Sequence, residues 1–453
     1  MIPMYYGVIG NRDYIKYRGQ RRPYWEFLDE QPQGWLTSLA YHRQDLPEQT
    51  HMIFDCGAWS YRAEETPRLG KQIVTPSWAY EQYQTTARPG DMLVAPDHML
   101  IEKYGDMDGR RHYNRASAQE FLALCAERYK PMAVVHGLTL DERLEYAREL
   151  YDLGYGALAL GGLAGRASAK TDNINIVNTI RAALPDVWLH ILGLSSPDYA
   201  GAWRLAQVES FDGSSHFKQA FTAGTFYTEE LGQLHKHTAA RTDRETGKIM
   251  EPITAPLCNC RACALLREDE VDTRTYGSNE NNMGRAAHNQ NMLMRAHHWH
   301  TRPTFILVAC AKQKLSQPDV AARLYVSPWF RRASAFAATM GEDWYVLSAK
   351  YGLVGKQEII EPYEQTLHNE SRDWQRAWAQ KVMFQVKQSI LPEAHIVMLA
   401  GQVYRRDLTP LLEADGYAVT VPMKGLGIGQ QLQWLIERTQ QESVQKTLWE
   451  GEL

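Results

Sequence analysis

Residues 132–160, MAVVHGLTLDERLEYARELYDLGYGALAL, decide the fold. Two short apolar runs, Met132–His136 and Ala157–Leu160, flank an amphipathic segment at Leu140–Leu153. Thr139 stands at the expected N-cap of that segment, and a glutamate follows three positions later, as in a capping box. Apolar strands on both sides of an amphipathic helix are typical of parallel strands joined by crossover helices.

The same alternation runs from the first residues to about residue 222. The predicted strands are Met4–Ile9, Met52–Asp55, Met92–Ala95, Met132–His136, Ala157–Leu160, Trp188–Leu192 and Val208–Phe211, with an eighth near Gln219–Thr222. Further helices are predicted at Ala116–Arg128 and Ile174–Leu184. Eight strands with this spacing predict an α/β fold of the (β/α)8 TIM-barrel type, in which residues just past the strand ends face the active site.

Length and composition limit the class of protein. A chain of 453 residues, 44% apolar and 23% charged, is expected to form two or three soluble globular domains. The net charge of −4 argues against a protein held to nucleic acid by bulk charge, but it leaves room for a local basic patch. Without a long apolar run or a signal-peptide pattern, the sequence predicts a cytoplasmic protein with no membrane partner and with reduced or metal-bound cysteines.

Aspartates and glycines follow several of the predicted strands. The aspartates are Asp55, Asp97 and Asp212, and the glycines are Gly161, Gly162 and Gly193. One aspartate after a strand is usually a cap or turn residue, but three on one face of a barrel indicate an active site. A carboxylate pair can serve as nucleophile and acid/base at the anomeric carbon of a sugar. Glycines leave backbone amides free to approach a planar ligand.

A cysteine motif stands after the last predicted strand. Cys258, Cys260 and Cys263 have the spacing of thiolates that share one tetrahedral ion, and His288 could complete a Cys3His structural zinc site. His297, His298 and His300 follow in the same segment and remain alternatives for the fourth ligand. The other reading is three cysteines buried as small apolar groups. A fully ligated zinc would hold a loop and helix against the barrel and would leave the chemistry elsewhere.

The order of these motifs resembles the tRNA-guanine transglycosylases, and more closely their DNA-acting paralogues, the DpdA-type DNA-guanine transglycosylases. The resemblance covers roughly residues 1–300. It includes Asp-X-Gly at Asp55 with an aromatic residue two positions further on, Asp97 after the next strand, Gly-Gly-Leu-Ala at Gly161–Ala164, Phe-Asp at Asp212, Gln-Ala-Phe-Thr at Gln219–Thr222, and Cys-X-Cys-X2-Cys with His288-Asn289. Each motif is weak alone, but their order and spacing are specific.

The resemblance implies a pentosyltransferase that exchanges guanine in DNA for a 7-deazaguanine. Asp212 would attack C1′ and form a covalent glycosyl-enzyme, and Asp55 would take a proton from the incoming base. Asp97 would accept hydrogen bonds from the N–H groups of the base. The amides of Gly161 and Gly162 would meet its acceptor groups, and His136 and Gly193 would also contact it. The target guanine must be flipped or single-stranded.

One departure from the family pattern bears on the incoming base. Gly165-Arg166 follows the Gly-Gly-Leu-Ala motif, where tRNA enzymes that use an aminomethyl base have Gly-Glu. A cationic aminomethyl group would be repelled by Arg166, whereas a nitrile would be tolerated, so 7-cyano-7-deazaguanine is expected. Basic side chains that could contact DNA phosphates lie in the run from Arg12 to Tyr24 and at Arg110, Arg111 and Arg115.

A second alternation starts after a polar stretch and predicts a smaller α/β domain at residues 303–453, following a barrel of residues 1–302 whose inserted zinc subdomain is expected at about 240–302. The predicted strands are Phe305–Ala309, Trp344–Leu347, His395–Leu399 and Tyr417–Val421, and the helices are Pro328–Ala338, Arg372–Ile390 and Gln430–Thr439. Lys312, Lys314 and Lys350 near strand ends could form a phosphate site, which suggests a DNA-binding role.

Two other functions remain open from the sequence. The same chemistry on tRNA would require that the 2′-hydroxyl be accepted. A zinc-stapled nucleic-acid-binding protein without catalysis would contain the same aspartates as structural residues. Accessory ATPase or helicase proteins could open the duplex, and a homodimer is a further expectation from the resemblance.

Overall fold

The computed structural model describes residues 1–41, 45–48, 51–125, 128–166, 169–243, 246, 248–341 and 343–450, with the side chains of residue 166 and of residues 440–450 outside the description. The chain forms two compact units, Met1–Thr301 and Arg302–Leu453. Each helix in the described ranges is too short or too polar to cross a lipid bilayer.

The first unit is built on a closed barrel of eight parallel strands. They are β1 (Met4–Ile9), β2 (Gly34–Ser38), β3 (His51–Asp55), β4 (Met92–Val94), β5 (Lys130–Val135), β6 (Ala157–Leu160), β7 (Trp188–Ile191) and β8 (Ser210–Asp212). Each strand pairs with its neighbours in chain order, and β1 closes the barrel by pairing with both β2 and β8. The α/β class and the closed parallel barrel are therefore confirmed.

The position of one strand was predicted wrongly. Gln219–Thr222 is part of a helix, because His216 and Ala220, four positions apart, are both buried on one helical face. The missing strand is Gly34–Ser38, a five-residue run in which only Trp35 and Leu36 are large and apolar. A Cβ at Gly34 would come within 2.3 Å of the Tyr6 ring, so glycine is required for β1 and β2 to pack.

Helices follow the last six barrel strands. They are α1 (Pro76–Gln84), α2 (Met107–Leu124), α3 (Leu140–Leu153), α4 (Lys170–Ala183), α5 (Pro197–Leu205) and α6 (Ser215–Thr222). Thr139 caps α3 by accepting a hydrogen bond from the Glu142 N–H at 3.2 Å, and Glu142 Oε2 accepts one from Leu138 N at 2.8 Å. The predicted capping motif is thus present, except that the Glu142 carboxylate accepts from the N–H of the residue before the N-cap and not from the N-cap itself.

Short elements fill the connections of this unit. Two-stranded ribbons pair Tyr14–Tyr17 with Gln20–Pro23, Arg68–Leu69 with Gln72–Ile73, and Ala240–Arg241 with Thr275–Tyr276; 3₁₀ turns lie at Tyr24–Phe27, Leu39–Tyr41, Glu102–Tyr104 and Ala164–Arg166. After α6 come a hairpin of β9 (Thr225–Glu230) and β10 (Gln233–Thr238), α7 (Arg261–Glu268) and the long α8 (Asn279–Thr301).

Alternation along the strands decides which side chains point into the barrel. One buried cluster takes Tyr6, Leu36, Ile53, Val94, Val134 and Ala159 from six strands, with Trp188 packed against it. Alternate residues such as Phe54 and Phe211 belong to the other cluster, which also contains helix residues. Because side chains on a strand alternate between faces, Asp55, His190 and Asp212 share the inward direction of the first set.

The second unit is an open sheet with helices. Its order is β13 (Gly352–Gly355), β12 (Asp343–Ser348), β11 (Thr304–Ala309), β14 (His395–Leu399) and β15 (Ala418–Thr420), and only β13 is antiparallel. The helices are α9 (Ala321–Leu324), α10 (Pro328–Met340), α11 (Arg372–Ser389), α12 (Gln402–Ala414) and α13 (Ile428–Glu450). A ribbon pairs Asp319–Val320 with Ile359–Ile360, and a 3₁₀ turn spans Leu367–Asn369.

Candidate active site and metal centre

Asp212 ends strand β8 and is held on one carboxylate oxygen. The Gly193 N–H donates to Asp212 Oδ1 at 2.8 Å, and His190 Nε2 lies 3.1 Å from the same oxygen. Asp212 is buried, and no hydrogen bond from the described residues reaches its Oδ2. The carboxylate is therefore oriented through Oδ1, with Oδ2 left for a ligand.

His190 belongs to a chain of hydrogen bonds that ends at Asp212. Trp188 Nε1, which can only donate, lies 3.1 Å from Ser210 Oγ. Ser210 Oγ in turn lies 2.8 Å from His190 Nδ1. A carboxylate oxygen can only accept, so the hydrogen bond at the other ring nitrogen has His190 Nε2 donating to Asp212 Oδ1.

The sequence-based prediction missed His190, although a signal was present. His190 lies between Trp188 and Leu192 at the same strand parity, so period-two alternation directs all three inward. A histidine at an inward position of an apolar strand is unusual enough to be examined. His190 lies within a strand, whereas the predicted site residues lie at or after the strand ends.

Asp97 is bonded on both oxygens. His136 Nε2 lies 2.6 Å from Asp97 Oδ2, and the Cys56 thiol donates to Oδ1 at 3.1 Å. The Tyr61 hydroxyl donates to the backbone carbonyl of Asp97 at 2.9 Å. Asp97 and His136 are about 5% exposed, so this pair is enclosed by protein. The structure thus joins two predicted ligand-contacting residues that are far apart in the sequence.

Asp55 ends strand β3 in a setting that favours its protonated form. Burial, followed by the charge of Asp97, raises the pKa of Asp55 to about 7, with a smaller contribution from Asp212. The Gly57 N–H donates to Asp55 Oδ2 at 2.9 Å and opposes this rise. Three carboxylates are therefore electrostatically coupled at one end of the barrel, and one of them can gain and lose a proton near neutral pH.

Glycines form part of the wall beside these carboxylates. A Cβ at Gly161 would meet Val134 Cγ1 at 2.7 Å and His136 Cε1 at 3.0 Å, so only glycine lets the His136 ring lie there. Gly162 and Gly193 have φ values of +75° and +73°, which L side chains rarely adopt. Arg143 Nη1 donates to the Gly161 carbonyl at 2.9 Å and holds this turn from behind.

An exposed aromatic residue stands close to Asp55 in the chain. Trp59 is 60% exposed, and the Arg62 guanidinium lies 4.2 Å from its ring centroid. A large aromatic ring kept in solvent and paired with a cation is a surface on which a nucleobase could stack. The sequence indicated Trp59 only as the aromatic residue that stands two positions after the glycine of the Asp55 motif.

Most of the basic residues considered for DNA contact are engaged within the protein. Arg110 is buried and donates to the carbonyls of Met99 at 2.7 Å and Arg62 at 3.0 Å. Arg111 pairs with Asp108 and Glu142, and Arg115 pairs with Glu149. In the N-terminal run, Arg18 pairs with Glu268 and Arg22 with Glu26. The Arg166 side chain lies outside the described residues.

The four predicted metal ligands come together where the start of α7 meets α8. The ligand atoms of Cys258, Cys260, Cys263 and His288 lie within 4.8 Å of one another. The Cys260 and Cys263 sulfurs are each 3.4 Å from His288 Nδ1. A tetrahedral zinc with ordinary bond lengths would place sulfur and nitrogen roughly 3.5 Å apart. The cluster therefore has the donor set and the size to hold a metal ion.

The structure decides between the four candidate histidines. His288 Nε2 bonds to the Tyr227 carbonyl at 2.7 Å, which leaves Nδ1 for the metal, as in second-shell support of metal-bound histidines. Phe226 stacks on the His288 ring at 3.8 Å. The three alternatives bond elsewhere: His297 to the Ser195 carbonyl, His298 to Glu30 and His300 to the Gly232 carbonyl.

Helix α8 connects the metal cluster to the barrel through buried polar side chains. Asn289 accepts from Tyr227 N at 2.9 Å and donates to the Thr225 carbonyl at 2.8 Å. Gln290 Oε1 lies 2.9 Å from both the Tyr24 hydroxyl and His216 Nε2. His216 is thus a structural residue of this helix contact. Because buried polar groups need such partners, these bonds specify one position for α8.

Comparison with known proteins adds information about the second unit. Residues 305–437 match a family model described as a family of unknown function, DUF6884. No curated protein is similar enough to the chain to count as a match.

Proposed function

We propose that the protein is a base-exchange transglycosylase that replaces guanine in DNA with a 7-deazaguanine, 7-cyano-7-deazaguanine in particular. The observation that carries the proposal is the pairing of two unlike carboxylates at the barrel end. Asp212 is oriented on Oδ1 and open on Oδ2, whereas the pKa of Asp55 is raised to about 7. An oriented carboxylate suits the role of nucleophile, and a carboxyl group with a raised pKa suits the role of general acid and base.

In the first half-reaction, Asp212 Oδ2 attacks C1′ of the target deoxyguanosine. The bond between C1′ and N9 breaks, and the departing guanine takes the proton of Asp55 at N9. The result is a covalent glycosyl-aspartate, free guanine and an ionised Asp55. The His190 and Gly193 hydrogen bonds hold Asp212 in line with C1′ while its charge is transferred.

In the second half-reaction, the ionised Asp55 accepts the N9 proton of the incoming 7-deazaguanine. N9 then attacks C1′, and the ester bond to Asp212 breaks to regenerate its carboxylate. Two inversions at C1′ give net retention. Protons and electron pairs balance over the cycle, since the proton that Asp55 lends to guanine returns from the new base.

Asp97 and His136 are suited to bind the base. An ionised carboxylate has about four acceptor positions, so Asp97 can accept from Cys56 and His136 and still receive N–H groups of a guanine-like ring. The Gly161 N–H donates to the Val135 carbonyl at 3.3 Å, so of the two predicted amides it is that of Gly162 that would meet the acceptor edge. Binding both bases in one pocket is a requirement of exchange.

The metal cluster is proposed to hold zinc in a structural role. Three cysteines and one histidine fill a tetrahedral shell, so no position remains for a reacting water. His288 and Asn289 are adjacent on α8, so the ion would fasten the helix whose polar side chains contact the barrel.

The proposal is tested with the full-length protein and nucleoside mass analysis. The protein is incubated with 7-cyano-7-deazaguanine and either single-stranded DNA or unmodified tRNA, and the nucleic acid is then digested to nucleosides. The expected product is the modified deoxynucleoside, absent with Asp212→Asn. Asp152→Asn makes the same change at an exposed carboxylate of α3 and should keep full activity.

Other outcomes would lead to different functions. A modified ribonucleoside alone would overturn the DNA assignment and support a tRNA enzyme. A third outcome is that neither nucleic acid incorporates the base and that denaturing mass spectra show no covalent adduct on Asp212. This outcome would contradict base exchange and support a binding protein.

A further inference from the structure

The second unit carries a cluster of polar side chains that base exchange does not use. Cys310 directly follows β11, Ser348 ends β12, and Tyr404 lies in the first turn of α12 after β14. From β11 the chain passes to β12 on one side and later to β14 on the other. Such a reversal of winding is the topological switch point, where open α/β sheets bind ligands beyond the carboxyl ends of their strands.

Hydrogen bonds join these side chains, with Tyr325 and Tyr363, into two groups that together are called the polar floor here. Cys310 Sγ lies 3.2 Å from the Tyr404 hydroxyl. Ser348 Oγ donates to the Tyr363 hydroxyl at 2.7 Å, and the Tyr325 and Tyr363 hydroxyls are 2.9 Å apart. Ser348 and the three tyrosines are buried. The floor is therefore built by residues from five separate segments of the chain.

Lys314 lies on this floor, and its ammonium has no counter-ion among the residues that the structure describes. Its Nζ is 4.3 Å from the Tyr363 ring centroid and 5.7 Å from that of Tyr325, and it donates to the Lys312 carbonyl at 3.3 Å. No carboxylate of the described chain comes within 4.0 Å of this ammonium; Glu364 acts on it only from farther away. Partial burial lowers the pKa of Lys314, as expected for a cation that lacks a partner.

Two exposed lysines extend the positive charge around this position. Lys312 and Lys350 form no ion pair with any described carboxylate. Elsewhere in the same unit, Lys356 pairs with Asp343 at 2.7 Å and Lys387 with Asp415 at 2.5 Å. Lys350 is two residues past Ser348. The unpaired lysines are thus found at the carboxyl ends of β11 and β12, and Lys356 pairs at the opposite, amino end of β12.

The first turn of α12 adds donors at the same edge of the sheet. Gly401 precedes this helix of 13 residues, and no side chain of the described chain caps it. Uncapped N–H groups at the start of a helix carry partial positive charge and bind anions. Tyr404, in the same turn, is bonded to Cys310, which connects these donors to the polar floor.

We propose that the switch point of the second unit is a phosphate-binding site. Lys314 supplies the central cation, Lys312 and Lys350 the outer ones, and the amides that open α12 donate to the phosphate oxygens. The ligand class is a phosphate group of a nucleotide or of a polynucleotide backbone. The site is separate from the base-exchange proposal and does not depend on it.

Calorimetric titration of the full-length protein tests the site with three probes: inorganic pyrophosphate, a nucleoside triphosphate and a single-stranded deoxyoligonucleotide. At least one probe should bind, and Lys314→Ala should weaken it by about tenfold or more, as expected when a charge-assisted contact is lost. Lys350→Ala should weaken it by about threefold, a value typical of an exposed charge. Lys356→Ala is the matched control and should bind as the unchanged protein does.

The probes also separate the two sources of phosphate. A site for a polynucleotide backbone binds the oligonucleotide less tightly as salt is added. The slope of log affinity against log salt concentration then becomes shallower by roughly 0.7 for each phosphate contact that a substitution removes. A nucleotide site prefers the triphosphate, which then displaces the oligonucleotide. The proposal is overturned if no probe binds at millimolar concentration, or if both Lys314→Ala and Lys350→Ala match Lys356→Ala. Since Lys350 is exposed, its variant decides the matter if Lys314→Ala fails to fold.

Discussion

Both units of this protein gather polar side chains at the carboxyl ends of parallel strands, but the two sets have opposite charge. The barrel end carries Asp55, Asp97 and Asp212, whereas the open sheet carries Lys312, Lys314 and Lys350. Parallel strands bring residues that are far apart in sequence to one edge, so such edges are suited to build sites. The chemistry of each site is then set by the sign of the charge that the residues beyond the strands provide.

Burial is the second difference between the two edges. Asp97 and Asp212 are each 5% exposed, and the pKa of Asp55 is raised to about 7, mainly by burial. Lys312 and Lys350 are exposed to water, and only Lys314 is partly enclosed. Enclosed charges have shifted proton affinities and can take part in proton transfer, whereas solvated charges attract counter-ions weakly and depend on salt.

The largest difference is expected between removal of the proposed nucleophile and removal of a lysine. Asp212→Ala should lower the rate of base exchange by about 10⁴-fold or more, as loss of a covalent nucleophile does. Lys350→Ala should leave the rate at saturating DNA unchanged. Single-turnover kinetics with labelled 7-cyano-7-deazaguanine measure both variants, and equal losses would show that the two edges act as one site.

Loss of the metal cluster should affect the first unit far more than the second. Cys260→Ser should abolish zinc binding and lower the free energy of unfolding of the first unit by more than about 4 kcal/mol, since α8 loses its anchor. Zinc content by elemental analysis and thermal unfolding are the measurements. Cys125→Ser, at a buried cysteine outside the cluster, should retain the metal.

The raised pKa of Asp55 should appear in activity and in stability. Exchange needs protonated Asp55 at the start, so formation of the covalent intermediate should decline as pH rises through about 7, and Asp55→Asn should remove this step. The folded pKa lies above the usual 3.8, so the folded state retains a proton that the unfolded state releases. The free energy of unfolding therefore decreases as the pH rises from about 4 to about 7.

Asp55→Asn should accordingly stabilise the protein at pH 8 but not at pH 4. Each pH unit of difference corresponds to about 1.4 kcal/mol, and residual contact with solvent reduces the total to roughly 2–3 kcal/mol. Urea unfolding of both proteins at the two pH values measures this. An equal difference at pH 4 and pH 8 would show that the pKa of Asp55 is the same in the folded and the unfolded protein.

The smallest effect concerns His190, a positioning residue for Asp212. His190→Ala should reduce kcat about tenfold, or ~1.5 kcal/mol, because the Gly193 N–H still holds Asp212 Oδ1. KM should change little, since the hydrogen bond acts on the nucleophile. His190→Gln can donate from a similar position and should recover part of the rate. Loss of folding without change in kcat of the remaining soluble enzyme would identify His190 as purely structural.

The predictability of the two edges differs in an instructive way. At the barrel end, Asp55, Asp97 and Asp212 could be identified because each lies at or shortly after the end of an apolar strand that can be recognised from its own residues. Their partners could not: Cys56 and His136 meet at Asp97 only through the pairing of β3, β4 and β5. In the second unit the lysines were identified, but the tyrosine floor under Lys314 comes from segments without a shared pattern.

The sequence by itself determined the alternation of strands and helices, the residues that follow the strands, and the spacing of the cysteine ligands. These features depend on periodicity and capping among neighbouring residues, which act before distant contacts form. Only the tertiary structure decided that Gly34–Ser38 completes the barrel, that His190 donates to Asp212, and that His288 joins the cysteines. Each of these depends on strand register or on contacts between distant segments, and no local pattern encodes them.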